Sequence, residues 1–322
     1  MDKRPSIVVA GSVNVDLIMR VRRVPEPGET LHEGLFSTAA GGKGANQAVT
    51  LARLGADVIF VGRVGEDFFG DMVSQSLEEA GVSTDFLIRD KENHTGTVVV
   101  LVDSEGQNAM VPDYGANLHL CEEDIERAAE VIRGPDILLL QFEVPEAANR
   151  RAVAIAESAS VPVIINPAPR TPSDLSILKR ASIITPNLAE AVSLAGMTGA
   201  DIPSNKWQEN TARMAGNALL DSGLDNILIT MGEAGCLFVS EKQSRSFESF
   251  RVKAVDATAA GDCFTASLAY CTAQGKSLDE AVTFASATSA ITVSREGAQP
   301  SLPTLLEVID FIKSNKLDIL TE

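Results

Sequence analysis

Two carboxylates stand six residues apart in the run VKAVDATAAGDCFTASLAY, residues 252–270. Asp256 closes an apolar, strand-like stretch, and Asp262 stands where an amphipathic helix should begin. Between them Ala259, Ala260 and Gly261 leave backbone N–H groups uncovered at a helix N-terminus, where the macrodipole favours negative charge. An acid beside such an anion site repels a phosphate unless it takes part in chemistry. Asp262 therefore reads as a general base that removes a proton from an attacking hydroxyl, with the 259–261 amides stabilising charge on the transferred phosphoryl group. An aspartate in the first helical turn is also common for structural reasons alone, so the reading needs partners elsewhere in the chain.

Four other clusters supply them. GGKGANQA (41–48) places Gly41 and Gly42 before a helix, where backbone N–H groups can approach a ligand closely, and adds Lys43 and Asn46. It lacks the G-x-x-x-x-G-K-[ST] order of a Walker A loop. GSVNVD (11–16) carries Asn14 and Asp16, which in extended chain share a face and suit neighbouring sugar hydroxyls. LLLQFEVP ends a strand with Glu143, and TPNLAE ends another with Asn187 and Glu190, the latter suited to a hydrated Mg²⁺. The same Asn-x-x-Glu spacing is a capping box, and Glu143 reads equally as a helix cap. TVSREGAQPS (292–301) is an oxygen-rich loop that, with Asp256, could hold a monovalent cation.

The elements that must position these groups alternate along the chain. Strand-length apolar runs (SIVVAGSV, ADVIFVG, DILLLQ, VPVIINP, SIITPN, NILITMG) are separated by segments of helical spacing, including GANQAVTLARLG and CEEDIERAAEVIRG. The pattern implies a parallel sheet covered on both faces, with ligands beyond the carboxyl ends of its strands. Two segments, VDLIMRVRRVPEPGETLHEGLFSTA and TGTVVVLVDSEGQNAMV, run as β with no helix between strands. They predict a small antiparallel sheet inserted into the α/β body, with residues 1–13, 41–93 and 114–322 as body and 14–40 and 94–113 as lid. An uncharged strand such as TVVVLV must be covered, by the body and substrate or by a second subunit.

Composition narrows the classes. A net charge of −17 over 322 residues argues against nucleic-acid or anionic-membrane partners. No apolar run approaches a membrane span, and the N-terminal residues turn polar too early for a signal peptide. The four cysteines lack metal-ligand spacing, which points to free thiols in a reducing cytoplasm, and Cys263 reads as a core residue despite adjoining Asp262. The three histidines lie outside all the clusters, which argues against a His triad or zinc site.

Two spaced motifs, GGKGANQAVTLARLG with Gly65 downstream and DATAAGD opening a helix, occur in the order found in the PfkB-type carbohydrate kinases, with TPNLAE between them. The chain resembles that family over essentially its whole length, and within it the ribokinase branch. The resemblance implies a Rossmann-like α/β domain with a β lid, and ATP, Mg²⁺ and a monovalent cation such as K⁺; the uncovered lid strand points to a homodimer through the lid. It implies that Asn14, Asp16, Gly41, Gly42, Lys43, Asn46 and Glu143 hold D-ribose and that Asp262 is the base. By the same analogy Asn187, Thr230, Gly232, Gly235, Gly261 and Ser286 line the nucleotide site and Glu190 stands near Mg²⁺. Asp256, Thr258, Thr292, Arg295, Gly297 and Ser301 would surround K⁺, several through backbone oxygens. Ala257 departs from the Thr, Ser, Pro or Val usual after the first Asp, which bears on the cation loop, and Ser286 departs where relatives face adenine. The reaction expected is ATP-dependent phosphorylation of the ribose 5-hydroxyl. Alternatives are 2-deoxyribose, another pentose or a nucleoside as acceptor, and a non-catalytic sugar sensor. A nicotinamide dehydrogenase fits less well, because the first strand leads into GSVNVD rather than G-x-G-x-x-G.

Overall fold

The computed structural model describes residues 4–197 and 208–315. In chain order it runs β1 (Ser6–Ala10), β2 (Asn14–Arg20), β3 (Leu35–Gly41), α1 (Lys43–Arg53), β4 (Asp57–Gly65), α2 (Phe68–Glu79), β5 (Val82–Asp90), β6 (Gly96–Val102) and β7 (Asn108–Asp113). Then follow α3 (Glu122–Arg127), α4 (Ala129–Ile132), β8 (Ile137–Gln141), α5 (Glu146–Ser158), β9 (Val163–Asn166), β10 (Ile183–Ile184), α6 (Leu188–Leu194) and α7 (Gln208–Asp221). The chain ends with β11 (Ile227–Thr230), β12 (Cys236–Val239), β13 (Ser244–Phe247), α8 (Ala260–Ala273), α9 (Leu278–Val293) and α10 (Leu305–Ser314).

Nine strands form one sheet in the order β13-β12-β11-β10-β9-β8-β1-β4-β5, parallel from β11 to β5 and closed at one edge by the antiparallel β12 and β13. Its inner strands β1, β8, β9 and β11 are almost wholly apolar because both faces are covered. Ile7 and Val9 of β1 belong to one core with α1 and α8, whereas Val8 and Ala10 belong to a second core with α5 and α7. The two-residue period of the strand thus divides a continuous apolar run between two layers of helices. From β1 the chain winds outward through β4 and β5 and then returns to the other side through β8, so strand order reverses between β1 and β8. The crevice at such a reversal is where open α/β sheets bind ligands.

The helical segment 121–134 is broken into α3 and α4 at Ala128 rather than continuous. Helix α2 and strand β5 fall in a stretch to which the pattern assigned no elements; β5 is an edge strand with only partial burial, which weakens its periodicity.

The second sheet has four strands in the order β3-β2-β6-β7. It departs from the expected antiparallel arrangement: β2–β3 and β6–β7 are antiparallel, but the central pair β2–β6 is parallel, with Asn14 beside Gly96. Both central strands leave the body at the same place, so they must run the same way.

A buried charge network ties the β4 edge of the body together. Arg63 donates to Asp90 and Asp124, each at 2.7 Å, and the two acid side chains are only 3% exposed. Removing the cation leaves Asp90 with only the donors of Glu92 and Asn93, and Asp124 with only Cys121 N–H and the more distant Arg127. Arg63→Ala is expected to cost about 3 kcal/mol in urea unfolding, and a loss within experimental error would show that solvent reaches the pair.

Candidate functional site

The site is assembled where the N-terminus of α1 meets the end of β1. Gly42 adopts φ 90°, and a Cβ on it would lie 2.8 Å from the backbone nitrogen of Asn14. A Cβ on Gly44 would lie 2.7 Å from the nitrogen of Ser12. The glycines thus allow helix α1 to press its first turn against the 11–14 loop. The first amides of the helix itself are engaged within the chain: Lys43 N–H donates to Glu143 Oε2 at 3.1 Å, Gly44 N–H to Ser12 Oγ at 3.4 Å, and Ala45 N–H to the Ser12 carbonyl at 2.9 Å, whereas the N–H of Gly42, just before the helix, has no hydrogen bond among the described residues. A buried helix end cannot leave donors bare, and this one is satisfied from within. Glu143, 9% exposed, caps α1 from across the strand reversal and is itself held by Ser12 Oγ at 2.5 Å.

Helix α1 then delivers two side chains to Asp262. Asn46 Nδ2 donates to Asp262 Oδ2 at 3.0 Å, and Lys43 Nζ lies 3.7 Å from Asp262 Oδ1. Asp262 is 5% exposed and is the third residue of α8. Its Oδ1 and the Oδ1 of Asn46 are buried with no hydrogen-bond partner among the described residues. Lone pairs held so, inside a polar cluster, fit the hydroxyls of an absent ligand. The Coulombic field of Asp262, with smaller contributions from Glu143 and Glu190, raises the Lys43 ammonium above its ordinary range despite burial. Asp16 shares this field. Burial, reinforced by Glu143 and Asp262, pushes its carboxyl up to about 7. A Cβ on Gly41 would lie 2.7 Å from Asp16 Oδ2, so Gly41 makes room for that carboxyl. Asn14, Asp16, Lys43, Asn46, Glu143 and Asp262 are thus gathered at one place.

On the far side of Gly261 lies an apolar pocket of about 320 Å³. Thr230, Gly232, Gly235, Gly261 and Ser286 line it, together with Ala257, Phe250 and Ala290. Asn187 stands on the neighbouring strand end and bridges to Thr230. Gly261 has open space where a side chain would be, and among the described residues no hydrogen bond occupies its N–H or that of Ala259. Ala260 differs, because its N–H donates to the Ala257 carbonyl at 3.2 Å. Ala259 takes φ 62°, a left-handed conformation that costs a non-glycine residue about 1 kcal/mol. That turn lets the chain arrive at α8 without a side-chain cap.

Asn187 and Glu190 form the reciprocal capping box, with Glu190 N–H to Asn187 Oδ1 at 2.9 Å and Asn187 N–H to Glu190 Oε2 at 2.8 Å. Glu190 is nevertheless not remote: burial raises its carboxyl, and the charges of Lys43 and Asp262 act on it. One carboxylate oxygen is left for a hydrated cation. In the oxygen-rich loop, Asp256 accepts from Thr258 N–H at 2.9 Å, from Thr258 Oγ1 at 2.6 Å, and from Gly297 N–H at 3.0 Å. Burial alone would raise its carboxyl, but these bonds outweigh burial and hold it below the usual range. The other three residues turn their side chains elsewhere: Thr292 Oγ1 donates to the Thr288 carbonyl, Ser301 Oγ to the Ala298 carbonyl, and Arg295 pairs with Glu307. They can serve a cation only through backbone carbonyls. Cys263 is fully buried and its thiol is pushed up to about 12 by burial, so it is no nucleophile.

This arrangement can be set beside known proteins. The model of the pfkB family carbohydrate kinases matches residues 4–305. The chain belongs to that family. Among PfkB relatives it is 37% identical over 311 residues to the ribokinase of Haemophilus influenzae, covering 96% of this chain and 99% of that protein. It is 33% identical to the deoxyribokinase of Salmonella typhi, at 96% and 99% coverage. The solved structure of Arabidopsis thaliana ribokinase complexed with ribose and ATP superposes with a TM-score of 0.83 at 31% identity, covering 97% of this chain and 99% of that one. The fold of this PfkB kinase, a mostly parallel sheet flanked by helices with a separate small sheet, is accordingly that of ribokinases.

Sequence reasoning missed Ser12 and Asn117. Ser12 holds Glu143 from 131 residues away, and Asn117 holds Asn14 from 103 residues away, so no local spacing could announce either.

The raised Asp16 carboxyl predicts a pH effect with a definite sign. The folded chain keeps this proton up to about pH 7, whereas the unfolded chain releases it near 3.8. Stability from the neutral acid is therefore complete below the unfolded value and is lost as pH rises through the folded one. Between pH 5 and pH 8 the natural protein should lose about 2 kcal/mol relative to Asp16→Asn, which cannot ionise. Urea melts of both at the two pH values measure it, and parallel profiles would place Asp16 in water.

Proposed function

We propose that this carbohydrate kinase transfers the γ-phosphoryl group of ATP to the 5-hydroxyl of D-ribose, giving D-ribose 5-phosphate and ADP. The observation that carries the reading is the position of Asp262. One oxygen is fixed by Asn46, the other is buried with no hydrogen bond among the described residues and only the Lys43 ammonium 3.7 Å away, and the preceding residue opens onto the 320 Å³ pocket. An acid on that boundary faces an acceptor hydroxyl on one side and a phosphoryl donor on the other.

Asn14, Asp16, Asn46 and Glu143 bind the sugar, and the pocket of Thr230, Gly232, Gly235 and Ser286 takes the nucleotide. Asp262 Oδ1 accepts the proton of the 5-hydroxyl as its oxygen bonds to phosphorus, and the bond to the departing ADP oxygen breaks with its electron pair. The free Gly261 and Ala259 amides and the Lys43 ammonium stabilise charge on the moving group. Glu190 would stand beside a Mg²⁺ bound with ATP, which would supply charge neutralisation at the phosphate oxygens. The Asp256–Gly297 loop suits K⁺, with Thr258 and the carbonyls of Thr292, Arg295 and Ser301 around it. The four-stranded sheet acts as a lid that excludes water from ATP.

The similarity to a deoxyribokinase keeps 2-deoxyribose as the second reading. The lid also bears an apolar face with Phe36 62%, Val99 45% and Val111 70% exposed, placed together by strand pairing. A second copy covers it, making a homodimer, and four free thiols accord with a cytoplasmic enzyme. No described helix is long and apolar enough to cross a membrane.

A coupled ADP-release assay with D-ribose, with and without K⁺, tests the activity, and a wild type inert toward all pentoses would leave only the nucleoside and sensor readings. Asp262→Asn should lower kcat by at least about 10³-fold while calorimetry still detects ribose and ATP; near-normal turnover would remove Asp262 as the base. Val111→Lys should turn the dimer into a monomer by light scattering, and an unchanged mass would move the interface elsewhere.

A further inference from the structure

Asn117 has no assigned role, yet it is 0% exposed and spends its whole amide on the junction between lid and body. Its Oδ1 accepts from Val13 N–H at 2.9 Å. Its Nδ2 faces the Val13 carbonyl at 3.0 Å, the Tyr114 carbonyl at 2.9 Å and Asn14 Oδ1 at 2.8 Å. A backbone N–H can only donate, so Val13 decides which end of the Asn117 amide is oxygen. The nitrogen end then meets Asn14, and that contact fixes the Asn14 oxygen inward. The NH₂ of Asn14 is left with no acceptor among the described residues. Asn14 lies on the same face of β2 as Asp16.

We infer that Asn117 is a positioning residue that sets the polarity of Asn14, so that Asn14 presents a hydrogen-bond donor to one hydroxyl of the sugar. The inference rests on the sugar-kinase reading above. It gives Asn14 a defined part: its NH₂ can only donate, so the hydroxyl it meets uses a lone pair there and keeps its own proton for an unprotonated oxygen of Asp16. Gly96 belongs to the same device. A Cβ there would intrude on both Asn14 Oδ1 and Asn117 Nδ2, so the β6 backbone can pass only as glycine.

Asn117→Asp keeps the acceptor for Val13 N–H and removes the donor, which turns the Asn14 amide around. The test compares kcat/KM for D-ribose, 2-deoxy-D-ribose and 3-deoxy-D-ribose with ATP, in wild type and variant. Wild type should disfavour one of the deoxy sugars by about 10–100-fold. In the variant that single ratio should shrink to within about 3-fold while the other deoxy ratio and the KM for ATP hold, because of the three contacts of Asn117 Nδ2 only the one to Asn14 leads to the sugar. Gly96→Ala, which forces the two amides apart without changing either, should act on the same ratio and serves if Asn117→Asp does not fold by circular dichroism. Equal losses with every sugar in a folded variant, or no wild-type preference for either hydroxyl, would overturn the inference. A wild type that phosphorylates none of the three sugars would instead bring down the sugar-kinase reading, and this inference with it.

Discussion

The satisfaction of one helix end governs this site. Helix α1 is driven into the crevice at the strand reversal, where water cannot reach its first amides, and something polar must meet them. Ser12 and Glu143 do so, and they bring together the two strands, β1 and β8, between which the chain changes direction. Once α1 is fixed, Lys43 and Asn46 have only one place to go, and Asp262 is fixed with them. The glycines at 41, 42 and 44 are then steric requirements: each keeps backbone or carboxylate atoms within distances that a methyl group would forbid.

The crowding of acids follows from the same placement. Asp16, Glu143, Glu190 and Asp262 all act on a region with a single ammonium, that of Lys43. Mutual repulsion and burial hold a proton on Asp16 to near neutrality. A chain selected only for stability has little reason to bury this arrangement. Its cost is offset by the ability to receive hydroxyls on several lone pairs and a proton on one of them.

The architecture of the body could be read in the sequence, because six continuous apolar runs separated by helical spacing have few other ways to be buried. The candidate site motifs could be read as one group because they sit at strand ends, and strand ends share one side of a parallel sheet. What resisted reading was pairing across long separations. The parallel contact of β2 with β6 joins segments about 80 residues apart, and alternation alone cannot give its direction. The partners of the α1 amides were hidden for the same reason, since Glu143 lies 100 residues from Lys43 and Ser12 lies 32 residues from Gly44. Glu190 was legible in both of its readings, and the structure holds the capping box without removing the residue from the charge cluster.

The parallel β2–β6 pair gives the small sheet two stems that rise side by side from one line, Asn14 to Gly96. Mechanically this is a cantilever. At about 3.3 Å per residue, the far ends of these seven-residue strands stand about 20 Å from the line. A tilt of about 10° there sweeps the tips by about 3–4 Å but moves Asp16, two residues up, by only about 1 Å. The cover can therefore swing wide at its rim while the groups nearest the sugar hold their register.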